Sequence, residues 1–295
     1  MNRPSTPLAM TILILTVGLA AISIASVLIK LCQAPPLVIA SYRLSIAALF
    51  YLVLGAMRSA KPRQPIDAKK VRWAGFSGLF LCLHFVAWIS SLQYTSVASS
   101  VVLVQTAPVL VALGSYFFFQ EKGSWRLVLG IALTLTGGVL ISYYDFHGDA
   151  GTLKGNLLAG VGAIGAAGYL LFGRRLRRDL DTVSYVRLVY SGAALATLLV
   201  VAIMRVPLFG YSIDTYLLLF LIALFPQVIG HTTLNWALKQ FSATSVSIMT
   251  LAEPIGASLL AYLILGEQIG WIKMIGGAVS LAGIVLTLLS ERKMD

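Results

Sequence analysis

A few polar residues in apolar surroundings carry whatever chemistry this chain performs. Glu253 is the one acid inside a long apolar run; the other ten Asp and Glu fall in loops or at run ends. A carboxylate so placed can be protonated, hold an ammonium group or relay a proton, or it can simply bond backbone groups freed beside Pro254. Arg43 lies about eight residues inside its own run, or about 12 Å, which is deep for snorkelling, and it can hold a carboxylate. Two of the three histidines precede a tryptophan by a turn or so, in His84-Phe-Val-Ala-Trp88 and His231-Thr-Thr-Leu-Asn-Trp236. Spacings of four and five put His and Trp roughly on one helix side. The pairs can serve interhelical hydrogen bonds or form a shared cavity wall. Gln105, Tyr169, Gln227, Asn235 and Thr250 complete the expected polar lining. Two His and one Glu also match a catalytic zinc ligand set, though without the usual local motif. Gly160-x-Gly162-x-x-Gly165 satisfies the dinucleotide pattern, but it lies in an apolar helix with no preceding strand, so close helix packing by small residues explains it. No HExxH, GxSxG or P-loop is present. No cofactor and no bound metal are therefore expected, and ATP-driven transport by this chain alone is not.

The elements that must position these residues are membrane helices. The chain of 295 residues is 58% hydrophobic and only 11% charged, with mean hydropathy +0.89. A soluble surface needs about twice that share of charges, so lipid is the solvent for most of this one. Ten runs reach the roughly 20 apolar residues that a span requires: 8–31, 35–57, 73–92, 97–119, 125–144, 155–173, 183–205, 216–236, 243–265 and 271–290. The first exceeds the roughly 7–15 apolar residues of a secretory signal, so an uncleaved first helix is expected. Trp73, Trp125 and Trp271 sit at run ends, as an interfacial belt does. Pro108, Pro226 and Pro254 each remove a helix donor and can kink a span or free backbone for a ligand. Glu121 and Glu267 precede the fifth and tenth runs as helix-start caps. Cys32 and Cys82 do not form a disulfide framework.

The net charge of +11 does not indicate nucleic acid. With both termini inside, sixteen Lys and Arg fall on the inner side and four on the outer, with Arg43 and Arg187 within spans. That asymmetry predicts N-in and C-in. The basic runs RSAKPRQPIDAKKVR and RRLRR read as topology signals.

The chain also repeats itself. Pro108, Leu113, Tyr116, Glu121, Trp125, Gly130, Leu135, Gly137, Val139 and Leu140 recur as Pro254, Leu259, Tyr262, Glu267, Trp271, Gly276, Leu281, Gly283, Val285 and Leu286, at a constant offset of 146. Ten helices then divide into halves 1–146 and 147–295. Five spans are odd in number, so the second half enters from the opposite side, giving an all-α bundle of two inverted five-helix repeats. Such a pair can exchange conformations, which is the structural basis of alternating access.

Each half carries a Pro in its fourth helix, a Glu thirteen residues on and a Gly-rich fifth helix: Pro108, Glu121 and Gly137, then Pro254, Glu267 and Gly283. In this the whole chain resembles the EamA-type transporters of the drug/metabolite transporter superfamily, and within them the bacterial inner-membrane exporters of aromatic amino acids. One departure stands out: the Glu before Pro254 is Ala107 in the first half. The resemblance implies an inner-membrane exporter of an aromatic or related amino acid; a monomer is expected. Residue chemistry agrees: Trp88, Tyr169 and Trp236 can stack on a ring, and Arg43 and Glu253 offer opposite charges to a zwitterion. The rival from another class is a membrane enzyme using His84, His231 and Glu253.

Overall fold

The computed structural model describes residues 7–57, 66–120, 124–143, 150–266 and 270–291. Glu121 and Glu267 lie outside these residues, as do Arg3, Arg58, Lys61, Arg63, Lys122, Arg292 and Lys293.

The described residues are helical and contain no strand. In chain order they form α1 (Leu8–Ser23), α2 (Ala25–Leu31), α3 (Pro36–Met57), α4 (Ala68–Ser91), α5 (Val97–Val104), α6 (Ala107–Phe119), α7 (Trp125–Tyr143), α8 (Ala150–Arg177), α9 (Thr182–Met204) and α10 (Ile213–Ile222). A π-helical stretch, Ala223–His231, leads into α11 (Thr232–Ala237). Then follow α12 (Ala243–Met249), a 3₁₀ turn Thr250–Ala252, α13 (Glu253–Leu260), a second π stretch Ala261–Leu265, and α14 (Trp271–Glu291). Among the described residues, eight runs are long and apolar enough to cross a bilayer, and Trp125–Leu140 is a shorter apolar helix. Large apolar side chains cover the outside, among them Leu49, Phe117, Phe118, Leu195 and Leu263. So continuous an apolar surface requires lipid contact, and the protein is a multi-pass membrane protein.

Helix starts follow from side-chain caps. Asp67 accepts from the Lys70 amide at 2.7 Å, so α4 begins five residues before the expected 73 and carries Lys69, Lys70 and Arg72 in its opening turns. Trp73 consequently sits within α4, packed on Phe172 with ring centroids 5.3 Å apart. Asp181 caps α9 through the Val183 and Ser184 amides.

The repeated passage folds in the same way twice. Ser96 accepts from the Ser99 amide and Ser242 from the Ser245 amide, each residue 146 positions from its counterpart. Both segments break in mid-course, at Gln105–Thr106 and at Thr250–Ala252, and restart with Pro108 and Pro254 in the first helical turn. There a missing N–H costs nothing, because the first amides of a helix have no partner. Both segments end on a left-handed residue, Gln120 (φ 56°) and Gly266 (φ 68°).

The helices downstream of these segments, α7 and α14, pack antiparallel through glycine. A Cβ at Gly137 would strike the Gly276 carbonyl and lie 2.6 Å from the Ser280 amide; one at Gly283 would lie 2.5 Å from the Gly130 carbonyl and 2.8 Å from the Thr134 amide. Position 137 meets the counterpart of 130, and 130 meets the counterpart of 137.

Around the centre, α4 packs along α8 and α9, α3 along α9, and α1 along the first π stretch. The α4–α8 seam depends on Gly162 and Gly165, where added Cβ atoms would lie 3.2 Å from the Trp88 Cβ and 2.5 Å from the His84 amide nitrogen. Two of the three glycines of the GxGxxG pattern thus serve helix contact; Gly160 meets nothing within 4 Å.

Candidate functional site

A cavity lies among α1, α3, α4, α5, α8, the π stretch with α11, and the break between α12 and α13. Half of its lining residues come from before position 146 and half from after it. Arg43, His84, Trp88, Gln105, Tyr169, His231 and Glu253 all line it, together with Thr250.

Arg43 projects from α3 and is fully buried. Its Nε donates to Gln227 Oε1 at 2.8 Å, and the guanidinium carbon lies 3.9 Å from the centroid of the Phe85 ring. Burying a cation requires such partners. Nη1 and Nη2, however, have no hydrogen-bond partner. Gln227 owes its position to the π stretch, which winds around Pro226; π segments alter the register of the residues they carry.

Across the cavity, Glu253 opens α13. Its Oε2 accepts from Gln105 Nε2 at 3.1 Å. The same Nε2 donates to the Thr250 carbonyl at 2.8 Å, and Thr250 Oγ1 donates back to Gln105 Oε1 at 2.9 Å. The two mid-course breaks are therefore tied to each other, and Gln105 satisfies a carbonyl that the break at Thr250–Ala252 exposes. Glu253 does not bond the backbone beside Pro254 among the described contacts; its partner is Gln105 on the other half.

Aromatic rings form the third wall. His84 donates from Nδ1 to the Gly162 carbonyl at 2.9 Å, since a carbonyl can only accept. Its ring stacks on Trp88 with centroids 5.9 Å apart and planes 5° from parallel. His231 lies 6.2 Å from His84 and 5.1 Å from Phe85, centroid to centroid. Hence His84 both makes an interhelical hydrogen bond and lines the cavity. Tyr169 donates to Asn235 Oδ1 at 2.6 Å, and Asn235 Nδ2 donates to Tyr190 at 3.1 Å. Among the described residues, no three His, Cys, Asp or Glu converge as a metal site.

Three expected lining residues stand elsewhere. Gln227 and Asn235 are fully buried behind the wall, where they hold Arg43 and Tyr169. Trp236 is half-buried away from the cavity, packed against the core. Four residues along an α-helix are about 40° apart around the axis, but five are about 140° apart, so the His231–Trp236 spacing does not reproduce the His84–Trp88 stack. Trp88→Ala should weaken handling of an aromatic ligand more than of an aliphatic one, with stacking worth on the order of 1 kcal/mol. Trp236→Ala should affect both equally. Binding titrations with phenylalanine and leucine check the pair, and equal losses at Trp88 would leave it a packing role.

Two functions were hidden in the sequence. Phe85, the platform under Arg43, is one apolar residue among many. Arg177, one of four arginines in RRLRR, is 1% exposed. It donates from Nε to the Asn235 carbonyl at 2.8 Å, and also to the Leu180 carbonyl and Thr182 Oγ1, tying the end of α8 to α11. Arg174 likewise donates to the Leu238 and Phe241 carbonyls. Thus part of this basic run holds the bundle's edge as well as weighting its topology.

A cavity lined by a buried arginine and a buried carboxyl group, at the meeting of two similar halves, is the architecture of a membrane carrier. The chain belongs to the EamA-like transporter family, whose model matches residues 8–143 and again 153–289. It is similar to the uncharacterized transporter YetK of Bacillus subtilis, 27% identical over 228 residues that cover 75% of this chain and 68% of YetK. It is also similar to a probable terminal-alkyne amino-acid exporter of Streptantibioticus cattleyicolor, 24% identical over 256 residues, covering 85% and 80%. A crystal structure with 20% sequence identity shares the fold, with a TM-score of 0.73 over 97% of this chain and 99% of that one. By family the protein is a transporter, not an enzyme.

Proposed function

We propose that this chain exports a small amphipathic metabolite, an aromatic or related amino acid, from the cytoplasm across the bacterial inner membrane, by alternating access through the central cavity. One observation carries this: Arg43 and Glu253 stand in the same buried cavity beside Trp88, Tyr169 and His84. A zwitterion with a ring needs an anion partner, a cation partner and an apolar or aromatic wall. The name of the Streptantibioticus relative favours an amino acid.

The carrier works as a monomer of ten helices, N-in and C-in, with halves 1–146 and 147–295 inverted in the bilayer. Support comes from the offset of 146, from the family model matching each half, and from the reciprocal glycine contacts of α7 and α14. The ninth and tenth helices are the broken segment Ala243–Leu265 and α14. Reporters at both termini should read as cytoplasmic and one between Asp145 and Lys154 as external; a cytoplasmic signal from that loop would contradict the inversion.

Efflux of radiolabelled amino acids from proteoliposomes, with and without a pH gradient, tests the function. Phenylalanine, tyrosine and tryptophan should move faster than aliphatic or charged amino acids. No faster movement than from protein-free liposomes would refute it. Glu253→Gln preserves the hydrogen bond from Gln105 in shape but removes the charge that meets an ammonium group. It should lower phenylalanine flux roughly tenfold, the scale of one charge-assisted hydrogen bond, at unchanged protein level. Wild-type flux would show that Glu253 serves structure only.

A further inference from the structure

The hydrogen-bonding capacity left open around this cavity is lopsided. Five nitrogens in and behind its wall are buried without a hydrogen-bond partner: Arg43 Nη1 and Nη2, Gln227 Nε2, Trp88 Nε1 and His231 Nδ1. Arg43, Trp88 and His231 line the cavity, and Gln227 is bonded to Arg43. The first four nitrogens can only donate, and the fifth donates in one imidazole tautomer. The acceptor side is less open, because one Glu253 oxygen already accepts from Gln105 and Gln105 is itself bonded twice to Thr250, which leaves mainly the second carboxylate oxygen. From this asymmetry we infer that the carboxylate is the obligatory part of the ligand and the amino group a dispensable one, so that the carrier accepts aromatic carboxylic acids lacking an amino group as well as amino acids, and rejects aromatic amines. It rests on the reading of the cavity as the substrate site.

The physical basis is the penalty for leaving buried donors unmatched. A guanidinium offers a planar fork that fits the two oxygens of a carboxylate. Phe85 covers the guanidinium at 3.9 Å and excludes water from that side, while the parallel His84–Trp88 pair provides a flat surface for the ring. A ligand without the carboxylate leaves the Arg43 fork unpaired, and sites built around a polar partner reject analogues that lack it strongly. A ligand without the ammonium group leaves Glu253 with the Gln105 bond it already has, so the loss is smaller.

Isothermal titration calorimetry of the full chain in nanodiscs decides between the alternatives, with phenylalanine, 3-phenylpropionate, phenethylamine and phenylalanine amide as probes. The first two should bind within about tenfold of each other, and the last two at least about a hundredfold more weakly. Gln227→Glu supplies Arg43 with a carboxylate of its own at nearly unchanged shape. It should weaken both acids by roughly tenfold or more while the thermal midpoint holds or rises, because the buried cation gains a partner. Phenethylamine binding as well as phenylalanine, 3-phenylpropionate failing where phenylalanine binds, or Gln227→Glu binding both acids like wild type would each overturn the inference. Should 3-phenylpropionate bind and phenylalanine not, the carboxylate requirement stands, while the acceptance of amino acids alongside acids and the amino-acid function both fall. Binding of none of the four refutes both. If Gln227→Glu does not fold, the four-ligand series on the unaltered protein decides alone.

Discussion

Arg43→Gln should reduce counterflow of phenylalanine in proteoliposomes by two orders of magnitude or more, the scale set by removing a buried charged partner from a ligand. The residue has no exposed surface. Its Nε is held by Gln227 and its face by Phe85, so the fork is fixed before any ligand arrives. Such preorganisation lowers the ordering cost of binding. Glutamine keeps part of the volume and can still bond Gln227, so folded protein should remain measurable. Arg43→Lys is the sharper control. It keeps the charge but replaces a planar fork with a point charge on a flexible stem. Flux should stay well below wild type, though above Arg43→Gln. Flux in both variants equal to wild type, normalised to protein in the liposomes, would remove Arg43 from the site.

Gly165→Val should produce the largest loss of folded protein of any single change considered. A Cβ at position 165 would stand 2.5 Å from the His84 amide nitrogen, 2.7 Å from its Cα and 2.8 Å from the Phe80 carbonyl. All three are backbone atoms, which cannot turn aside as a side chain does. Helices α4 and α8 would have to separate, breaking the His84–Gly162 hydrogen bond and displacing the His84–Trp88 stack. Overpacking generally costs about 1–3 kcal/mol, and backbone contact puts this case at the upper end. Gly160→Ala is the internal control: nothing lies within 4 Å of an added Cβ there, and alanine gains up to about 1 kcal/mol over glycine in a helix. Thermal midpoints of the two variants in the same detergent check the contrast. Similar midpoints would mean that the α4–α8 seam tolerates separation.

Arg43 and Glu253 stand out because a charge within an apolar run has to find a protein partner; that they meet in one cavity depends on how the helices pack. His84 and Trp88 were legible from a spacing that an ordinary α-helix keeps on one face. Trp236 was not, because a spacing of five turns the side chain away and the π stretch just before it shifts the register. Nothing in the RRLRR run distinguishes Arg177, which is buried, from its neighbours, since topology and helix-end bonding ask for the same residue type. The start of α4 was obscured because its first turn is charged; Asp67 marks it by capping, not by hydropathy. The breaks at Gln105–Thr106 and Thr250–Ala252 are announced by Pro108 and Pro254, but their mutual bonding through Gln105 depends on how the two segments pack.

The central claim is that one cavity serves both sides of the membrane. Ser247 lines it, and its hydroxyl donates to the Thr244 carbonyl within its own helix, so Ser247→Cys is a near-isosteric probe once Cys32 and Cys82 are replaced by alanine. The direct measurement is labelling of this thiol by a membrane-impermeant maleimide in right-side-out and in inverted vesicles, each with and without phenylalanine. The account predicts labelling from both sides and slower labelling from both when phenylalanine is present. Labelling from one side only, at a rate phenylalanine does not change, would contradict it.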